Sequence, residues 1–398
     1  MKAKFYTAII LIAVASLLLA GCGAPAATPT ATPAPTPLPP TVAPTSPPKP
    51  TPVPPTATMA PTPIPPTATA TASASAPRTL TVMTHDSFAA SEDVLKSFEQ
   101  ANNVKLNILK SGDAGAALNK AILAKGNPLA DVFYGVDNTF LSRALDADIF
   151  ERYRPQGVTI PPEFMLDNSE RAWPVDYGDV CLNYDKAYFV NKKLAVPQSL
   201  QDLTRPEYKN LLVVENPATS SPGLAFMLAT VARFGPDKFL DYWKQLKANG
   251  VKIVDGWGTA YYTEFSGSSG KGPRPLVVSY ASSPPAEVVF AKTPLTDAPT
   301  GSVIGDGACF RQIEFVALLK GTQNRELARR FVDFVLSVRF QEDMPLNMFV
   351  FPINPQAKLP EAFVKYAQLP QSPGRLAPED IAKNRDKWIQ QWTETVLR

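Results

Sequence analysis

The chain has 398 residues, of which 45% are hydrophobic and 19% charged, with one histidine, three cysteines and a formal net charge of +3. Residues 78–398 hold all 36 acidic residues and 36 of the 39 basic ones, so that region is formally neutral and has no basic cluster. This balance argues against a nucleic-acid partner, and a single histidine excludes a His-rich zinc site.

The first residues have the pattern of a secretory signal. Lys2 and Lys4 precede an apolar run that ends at Leu19-Ala20-Gly21-Cys22. A run of about 14 apolar residues is short for a membrane-spanning helix, which needs about 20. The closing tetrapeptide resembles a bacterial lipobox, so we predict a signal peptide over residues 1–21 and a lipid anchor at Cys22, outside the cytoplasmic membrane. A simple spanning helix is the alternative.

The segment after Cys22 is almost wholly Thr, Pro and Ala. Residues 23–77 contain 19 of the 42 prolines and no Asp or Glu. So few large apolar side chains do not offset the entropy of ordering, and the prolines favour extended polyproline II segments. We predict that residues 22–77 are the lipidated cysteine and a disordered stalk. A proline-rich recognition ligand is the alternative, and the composition also permits O-glycosylation.

Residues 78–398 alternate apolar strands with helical patterns, which is typical of an α/β architecture. The first part predicts strands at 79–84, 104–109 and 131–135 and helices at 92–101, 116–124 and 138–145. Polar loops follow these strands at His85-Asp86-Ser87, Ser111-Gly112-Asp113 and Asp137-Asn138. Open α/β sheets bind ligands at the carboxyl ends of their strands, so we expect a site there.

The middle of the chain predicts a second, inserted domain. Its elements are an extended run at 173–184, strands at 211–215, 252–254 and 276–279, a helix at 223–233 and a turn at Gly256-Trp257. Ser220 and Ser221 precede that helix, where backbone amides face an anion; a plain helix cap is the alternative. A run at 307–319 and helices at 326–338 and 378–396 complete the first domain.

Seven short segments in a fixed order carry a more specific signal. They are THDSFAA, GVDN, VDYG, NPATSSPGL, GWGTAY, VVSYASSP and FPINP. Together they resemble the thiamine-binding periplasmic component of ABC transporters, over nearly all of residues 78–398. The resemblance implies a type II periplasmic-binding-protein fold, with two α/β lobes joined by crossover hinge strands. Residues 78–177 and 312–398 would form lobe 1, and residues 178–311 lobe 2.

By the same resemblance the protein is not an enzyme and has no cofactor. It is expected to be a monomer that captures a thiamine-like small molecule between its lobes and delivers it to an ABC permease in the membrane. The loops implied to contact the ligand are Asp113-Ala114, Ser220-Ser221, Trp257, and Tyr280, Ala281, Ser282, Ser283 and Pro284. The rings of Trp257 and Tyr280 would either face a cation or pack in the core, and Asp113 would either pair with the ligand or cap a helix.

Four positions depart from the aromatic residues expected near the ligand in such relatives: His85, Glu92, Ala286 and Phe349. The expected cleft is therefore less aromatic, although Glu92 would add a negative charge. His85 and Phe349 remain candidate ligand contacts. The resemblance thus implies thiamine or a relative of it, such as its phosphate ester or a pyrimidine precursor, as the expected ligand.

The sequence also suggests two alternative functions. Tyr261-Tyr262 and His85 suggest a ferric-binding relative, but that family's tyrosine pair would follow the strand at 276–279, where Tyr280-Ala281 stand. A secreted hydrolase would use Ser221 or Ser283, although neither lies in a Gly-x-Ser-x-Gly elbow.

Cys181 and Cys309 both fall in the predicted crossover segments. An extracytoplasmic compartment permits oxidation, so we predict a disulfide between them. Two buried thiols are the alternative.

Overall fold

The computed structural model describes residues 78–398; the predicted signal peptide, Cys22 and the stalk lie outside the described residues. The strands are β1 Arg78–Thr84, β2 Val104–Lys110, β3 Val132–Asp137, β4 Phe150–Glu151, β5 Trp173–Asp185, β6 Leu212–Glu215, β7 Lys252–Val254, β8 Leu276–Tyr280, β9 Thr300–Val303, β10 Phe310–Leu319 and β11 Phe351–Pro352. The helices are α1 Glu92–Asn102, α2 Ala114–Leu123, α3 Leu141–Asp146, α4 Lys186–Lys192, α5 Ser221–Phe234, α6 Phe239–Ala248, α7 Trp257–Thr259, α8 Pro284–Val289, α9 Arg325–Val335, α10 Val338–Asn347, α11 Glu361–Tyr366 and α12 Pro378–Val396.

The strands form one mixed sheet with the order β2-β1-β3-β10-β5-β8-β6-β7. At one end β1 pairs in parallel with β2 and β3, and at the other β6 pairs in parallel with β7 and β8. Between these halves, β10 and β5 run antiparallel to each other and to their outer neighbours β3 and β8. Two parallel α/β units are thus joined through two long antiparallel strands.

The residue pattern explains the central elements. All six residues of β3, VFYGVD, are buried, as expected for a parallel strand covered on both faces. Helix α9 places Leu327, Phe331 and Val335 on one buried face, the spacing of an amphipathic helix. At the far side α12 packs on α6, where Trp392 meets Trp243 edge-on at 5.3 Å.

Three predicted elements need correction. The helix expected at 326–338 ends at Val335 and a second helix begins at Val338, because Ser337 is extended and its hydroxyl donates to the Phe334 carbonyl. The expected turn at Gly256-Trp257 is instead the start of α7, which continues as a π-helical turn over Ala260–Glu264. The helix expected from residue 138 begins at Leu141, because Asp137 first forms a turn with the Thr139 amide.

The lobe boundaries proposed from the sequence fall inside the joining strands. The boundary at 177/178 lies in β5 and the one at 311/312 in β10. The partition itself stays a prediction. Among residues 78–398, none of the helices has the length and apolar character needed to cross a membrane.

Candidate functional site

A cavity lies at the meeting point of several elements. They are the loop after β1, the N-termini of α2 and α5, helix α7, the end of β8 and the segment after α10. Its walls are His85, Ser87, Asp113, Ala114, Ser221, Pro222, Trp257, Tyr261, Tyr262, Tyr280, Ser283, Ala286, Glu314, Met348, Phe349 and Val350. Many of these residues follow strand ends or begin helices, as the α/β pattern predicts.

The cavity brings together eight of the twelve predicted contact residues: His85, Asp113, Ala114, Ser221, Trp257, Tyr280, Ser283 and Phe349. The other four, Ser220, Ala281, Ser282 and Pro284, are not among its wall residues. Their role as direct ligand contacts is not supported by this geometry.

Each of these four residues has a local structural role. Ser220 caps α5 and accepts from the Gly223 amide, while Ser282 donates to the Phe349 carbonyl at 2.6 Å. Ala281 packs on the two cysteines. Pro284 begins α8 and faces a separate cavity.

Trp257 is held in the cavity wall by two contacts. Its indole Nε1 donates to Ser279 Oγ at 2.9 Å, and its ring stacks on Tyr261 with centroids 4.9 Å apart and planes 19° apart. Tyr262 meets Trp257 edge-on at 5.4 Å. The ring is therefore fixed before any ligand arrives, which lowers the entropy lost on binding.

Asp113 is both a helix cap and a bridge across the cavity. One carboxylate oxygen accepts from the Ala114 amide at 2.7 Å, and the other from the Trp257 amide at 2.9 Å. Burial raises its pKa, although these two N–H groups and His85 partly oppose that rise. A second bond, from the Ala116 amide to the Thr219 carbonyl at 3.2 Å, joins the same two parts of the chain.

Tyr280 lies over β5 because the strand has a glycine beneath it. A Cβ at Gly178 would stand 2.8 Å from the Tyr280 ring. The Tyr280 hydroxyl donates to Gln312 Oε1 at 3.2 Å. Burial, then the nearby Glu314 and Asp113 carboxylates, raise the pKa of this phenol well above its usual value, so it stays neutral.

The His85 ring packs against β3 at a position where only a glycine, Gly135, leaves enough space for it. Gly135 has φ +96°, and a Cβ there would lie 2.3 Å from His85 Cδ2. His85 Nε2 stands 3.3 Å from Glu314 Oε2. Burial alone would lower the pKa of His85, but Glu314, followed by Asp113 and Asp86, outweighs burial, so the pKa is raised.

Sequence reasoning missed Glu314 as a wall residue. It lies inside the apolar run of β10, FRQIEFVALL, and a charged residue in such a run was the signal that could have found it. In contrast, Glu92, which was expected to add negative charge, is exposed at the start of α1 and pairs with Lys96 at 2.6 Å. It is not among the cavity walls.

The tyrosine pair suggested for iron has a different setting. Tyr261 is buried under Trp257, with 1% of its surface exposed, while Tyr262 is half-exposed at the cavity. Burial, and then the nearby Glu287 carboxylate, raises the pKa of both phenols, so neither is predisposed to ionise.

The serines proposed as nucleophiles lack a base in the described part of the chain. Ser283 Oγ lies 2.9 Å from Ser279 Oγ, and within residues 78–398 His85 has Glu314 as its one side-chain partner. Ser221 Oγ is buried on the cavity wall, at the N-terminus of α5, and has no hydrogen-bond partner among the described residues. It is therefore available to a ligand acceptor.

The structure pairs Cys181, in β5, with Cys309, immediately before β10, as a disulfide. Both cysteines are buried with Ala281, and neither is among the cavity walls. The covalent link therefore ties together the two strands that join the halves of the sheet.

Comparison with known proteins adds evidence from outside the chain. The family described as bacterial extracellular solute-binding protein matches residues 127–371. A thiamine-binding periplasmic protein of Salmonella typhimurium is 31% identical over 82% of this chain and 96% of its own. The Escherichia coli thiamine-binding periplasmic protein is 30% identical, also over 82% and 96%.

Solved structures agree with this likeness. A periplasmic thiamin binding protein has a TM-score of 0.71 and 28% identity, covering 81% of this chain and 97% of its own. A ferric binding protein from Campylobacter jejuni has a TM-score of 0.65 at 18% identity, covering 79% and 99%, which is evidence for the fold alone. The predicted fold, two α/β lobes joined by crossover strands, is confirmed.

Proposed function

The chain belongs to the bacterial extracellular solute-binding protein family, and from that premise we propose that it captures thiamine or a thiamine-related compound. As a family member it is an extracytoplasmic component of an ABC importer, a transport protein and not an enzyme. The proposed ligand site is the cavity around Trp257. The proposed partner is a membrane permease, to which the protein as a monomer delivers its ligand.

The observation that carries this proposal is the chemistry of the cavity wall. Aromatic rings of Trp257, Tyr262, Tyr280 and Phe349 surround a space that the Glu314 side chain also reaches. None of the described residues that form this wall is a Lys or Arg. Rings and two carboxylates, with His85 as the one basic side chain among the described wall residues, favour a flat cation.

Thiamine combines a cationic thiazolium with an aminopyrimidine, and both parts suit this wall. The rings can stack on either heterocycle. Ser221 Oγ, buried and without a partner, points to an acceptor such as a hydroxyl or phosphate tail. The N-terminal amides of α5 support the same acceptor. Thiamine phosphate and pyrimidine precursors therefore remain within the proposal.

We propose that residues 78–177 with 312–398 close on residues 178–311 around the ligand. The bonds from Trp257 to Asp113 and from Ala116 to Thr219 support this division, because each joins one range to the other. Affinity then comes from contacts that both lobes make in the closed state.

We also propose that Cys22 carries the lipid anchor and that residues 23–77 are a stalk. Fully extended at about 3.1 Å per residue, such a stalk would reach about 170 Å, enough for docking on a permease while anchored nearby. Mass spectrometry of the protein from its own cells tests this, since a mature N-terminus at an acylated Cys22 is expected. An N-terminus elsewhere, or a free Cys22 thiol, would overturn it.

The ligand proposal is tested by titration calorimetry on Trp257→Ala. Loss of the ring removes a cation–π contact worth about 0.5 to 2 kcal/mol, together with stacking area. We expect thiamine affinity to fall at least about tenfold, equivalent to about 1.4 kcal/mol. Trp257→Phe, which keeps a ring but loses the bond to Ser279, is the matched control and should lose less.

A thermal-shift panel tests the ligand class directly. Thiamine, thiamine phosphate, a pyrimidine precursor, ferric ion and a polyamine are compared, because a tight ligand raises the midpoint by mass action. Stabilisation by a thiamine-type compound supports the proposal. Stabilisation by ferric ion alone, or unchanged thiamine affinity in folded Trp257→Ala, would contradict it.

A further inference from the structure

Three carboxyl groups lie side by side beneath the cavity. In the sheet register, Glu314 of β10 stands opposite Asp137 of β3 on one side and opposite Asp176 of β5 on the other. Residues directly opposite each other on neighbouring strands project from the same face. All three side chains are buried, with residue exposures of 0% for Asp137, 1% for Asp176 and 7% for Glu314. We call these three residues, together with His85, the acidic floor.

The acidic floor has few groups that offset its negative charge. Among residues 78–398, no Lys or Arg forms an ion pair with any of the three carboxylates; His85 is the one basic partner, at 3.3 Å from Glu314. Asp137 Oδ2 is buried and has no hydrogen-bond partner among residues 78–398, whereas Asp176 also shares a side-chain hydrogen bond with Glu314. The floor is also not arranged as a metal site within the described residues.

The surrounding groups are mostly neutral or acidic. Tyr134 donates to Asp176 at 2.8 Å, the Thr139 amide and hydroxyl donate to Asp137, and Gln312 donates to Glu314 at 3.5 Å. The titratable groups facing the floor from neighbouring elements are Asp86 after β1, Asp113 of the α2 cap, Tyr134 of β3 and Tyr280 of β8.

Two of these carboxyl groups, Asp176 and Asp137, resist ionisation. Burial, then the charge of Glu314, raises the pKa of Asp176 well above its usual value. Burial is also the largest cause raising the pKa of Asp137 to about 7, and Glu314 adds to it. Asp137 and Asp176 therefore keep their protons at pH values at which exposed carboxyl groups have lost them.

We propose that Glu314 is the residue that recognises the charge of a cationic ligand in this cavity, and that binding of the cation releases a proton from the acidic floor to solvent. The inference rests on the proposed function, because it assumes that a cation enters the cavity. Glu314 is the one floor carboxylate on the cavity wall. A cation beside it adds positive charge where His85 is the only basic partner among the described residues, and this favours the ionised floor.

This coupling has a measurable consequence. If one proton leaves as the cation binds, affinity rises with pH by up to about tenfold per unit where the floor is protonated before binding. A neutral ligand of similar shape has no such dependence. The charge of the ligand is thus selected by the floor, and its shape by the rings above.

The experiment is titration calorimetry of the mature chain with thiamine between pH 6.5 and 8.5, in HEPES and in Tris. These buffers have different heats of ionisation, so proton release appears as a difference in binding heat. We expect release of a substantial fraction of one proton with thiamine. We expect none with the uncharged fragment 4-amino-5-hydroxymethyl-2-methylpyrimidine.

Glu314→Gln should bind thiamine at least tenfold more weakly and lose most of the proton release. Glu92→Gln is the matched control: it makes the same substitution at an exposed position outside the cavity walls and should keep both properties. If Glu314→Gln does not fold, the buffer comparison on the unmodified chain decides.

Tight thiamine binding with equal heats in both buffers and no pH dependence would overturn this inference while leaving the proposed function in place. Absence of any thiamine binding would overturn both.

Discussion

The bond between Cys181 and Cys309 gives a quantitative test of how the joining strands are stabilised. Replacing both cysteines by alanine removes the link without burying new hydroxyl groups beside Ala281. The two residues are 128 apart in sequence. In the chain-entropy model, closing a loop of that length stabilises the folded state by about 5 kcal/mol, as an upper value.

Urea unfolding followed by tryptophan fluorescence measures this effect. We expect the double variant, and the unmodified chain under reductant, to lose about 2 to 5 kcal/mol, the range typical of native disulfides. Because neither cysteine lies on the cavity wall, thiamine affinity should remain within about twofold at temperatures where the variant is folded; a twofold change is only about 0.4 kcal/mol.

Thiol titration provides the decisive control. In a chain carrying Cys22→Ser, the unfolded but unreduced protein should show no reactive thiol. Two reactive thiols would show that the bond is absent. Equal urea midpoints with and without reductant would refute the energetic reasoning, and a large loss of thiamine affinity would show that the link also shapes the site.

Two further substitutions test the groups beneath the cavity. Burial raises the pKa of Asp137 to about 7 in the folded chain. The folded state therefore binds more protons than the unfolded state between about pH 4 and pH 7. Because of this, the free energy of unfolding falls by up to about 4 kcal/mol as the pH rises through that window. Asp137→Asn should flatten this decline in urea unfolding at pH 5 and pH 8; an unchanged slope would contradict the assignment. Gly135→Ala places a methyl group 2.3 Å from His85 Cδ2 at φ +96°, so we expect a loss of about 1 to 3 kcal/mol in stability and weaker thiamine binding as His85 is displaced from Glu314. Wild-type stability and affinity in Gly135→Ala would refute that packing argument.

Elements governed by local pattern were predicted well. Helix α12 was expected at 378–396 and is observed as Pro378–Val396, because proline at its first turn and a regular apolar face fix it locally. The strands β1, β2 and β7 also lie within one residue of their predicted bounds. The break at Ser337 was missed because continuing apolar spacing conceals a single residue in an extended conformation.

The contact loops could be located only through the resemblance to a family, and even then not residue by residue. Ser220 and Ser221 are adjacent in sequence, yet one caps a helix and the other has a free hydroxyl on the cavity wall. Similarly, Tyr262 reaches the cavity because α7 continues into a π-helical turn, which no local pattern predicted. Which side of a loop faces the ligand depends on how distant segments pack against it.

The acidic floor shows most clearly which part of the site the sequence alone could not predict. Asp137 and Glu314 are each the one acid of their strand, Asp176 is one of three in β5, and the three residues are separated by dozens of positions. Only the register of β10 between β3 and β5 places them together. The register with β5 shifts between Glu314 and Phe315, so a pairing guessed from regular alternation beyond that point would be one residue out. The sequence did contain one clue to Glu314, which is the energetic cost of burying it. A glutamate inside an apolar strand is too costly to bury without a compensating group. Such a residue implies that the compensating charge comes from a distant part of the fold or from a ligand, and here the near-absence of basic partners points to the ligand.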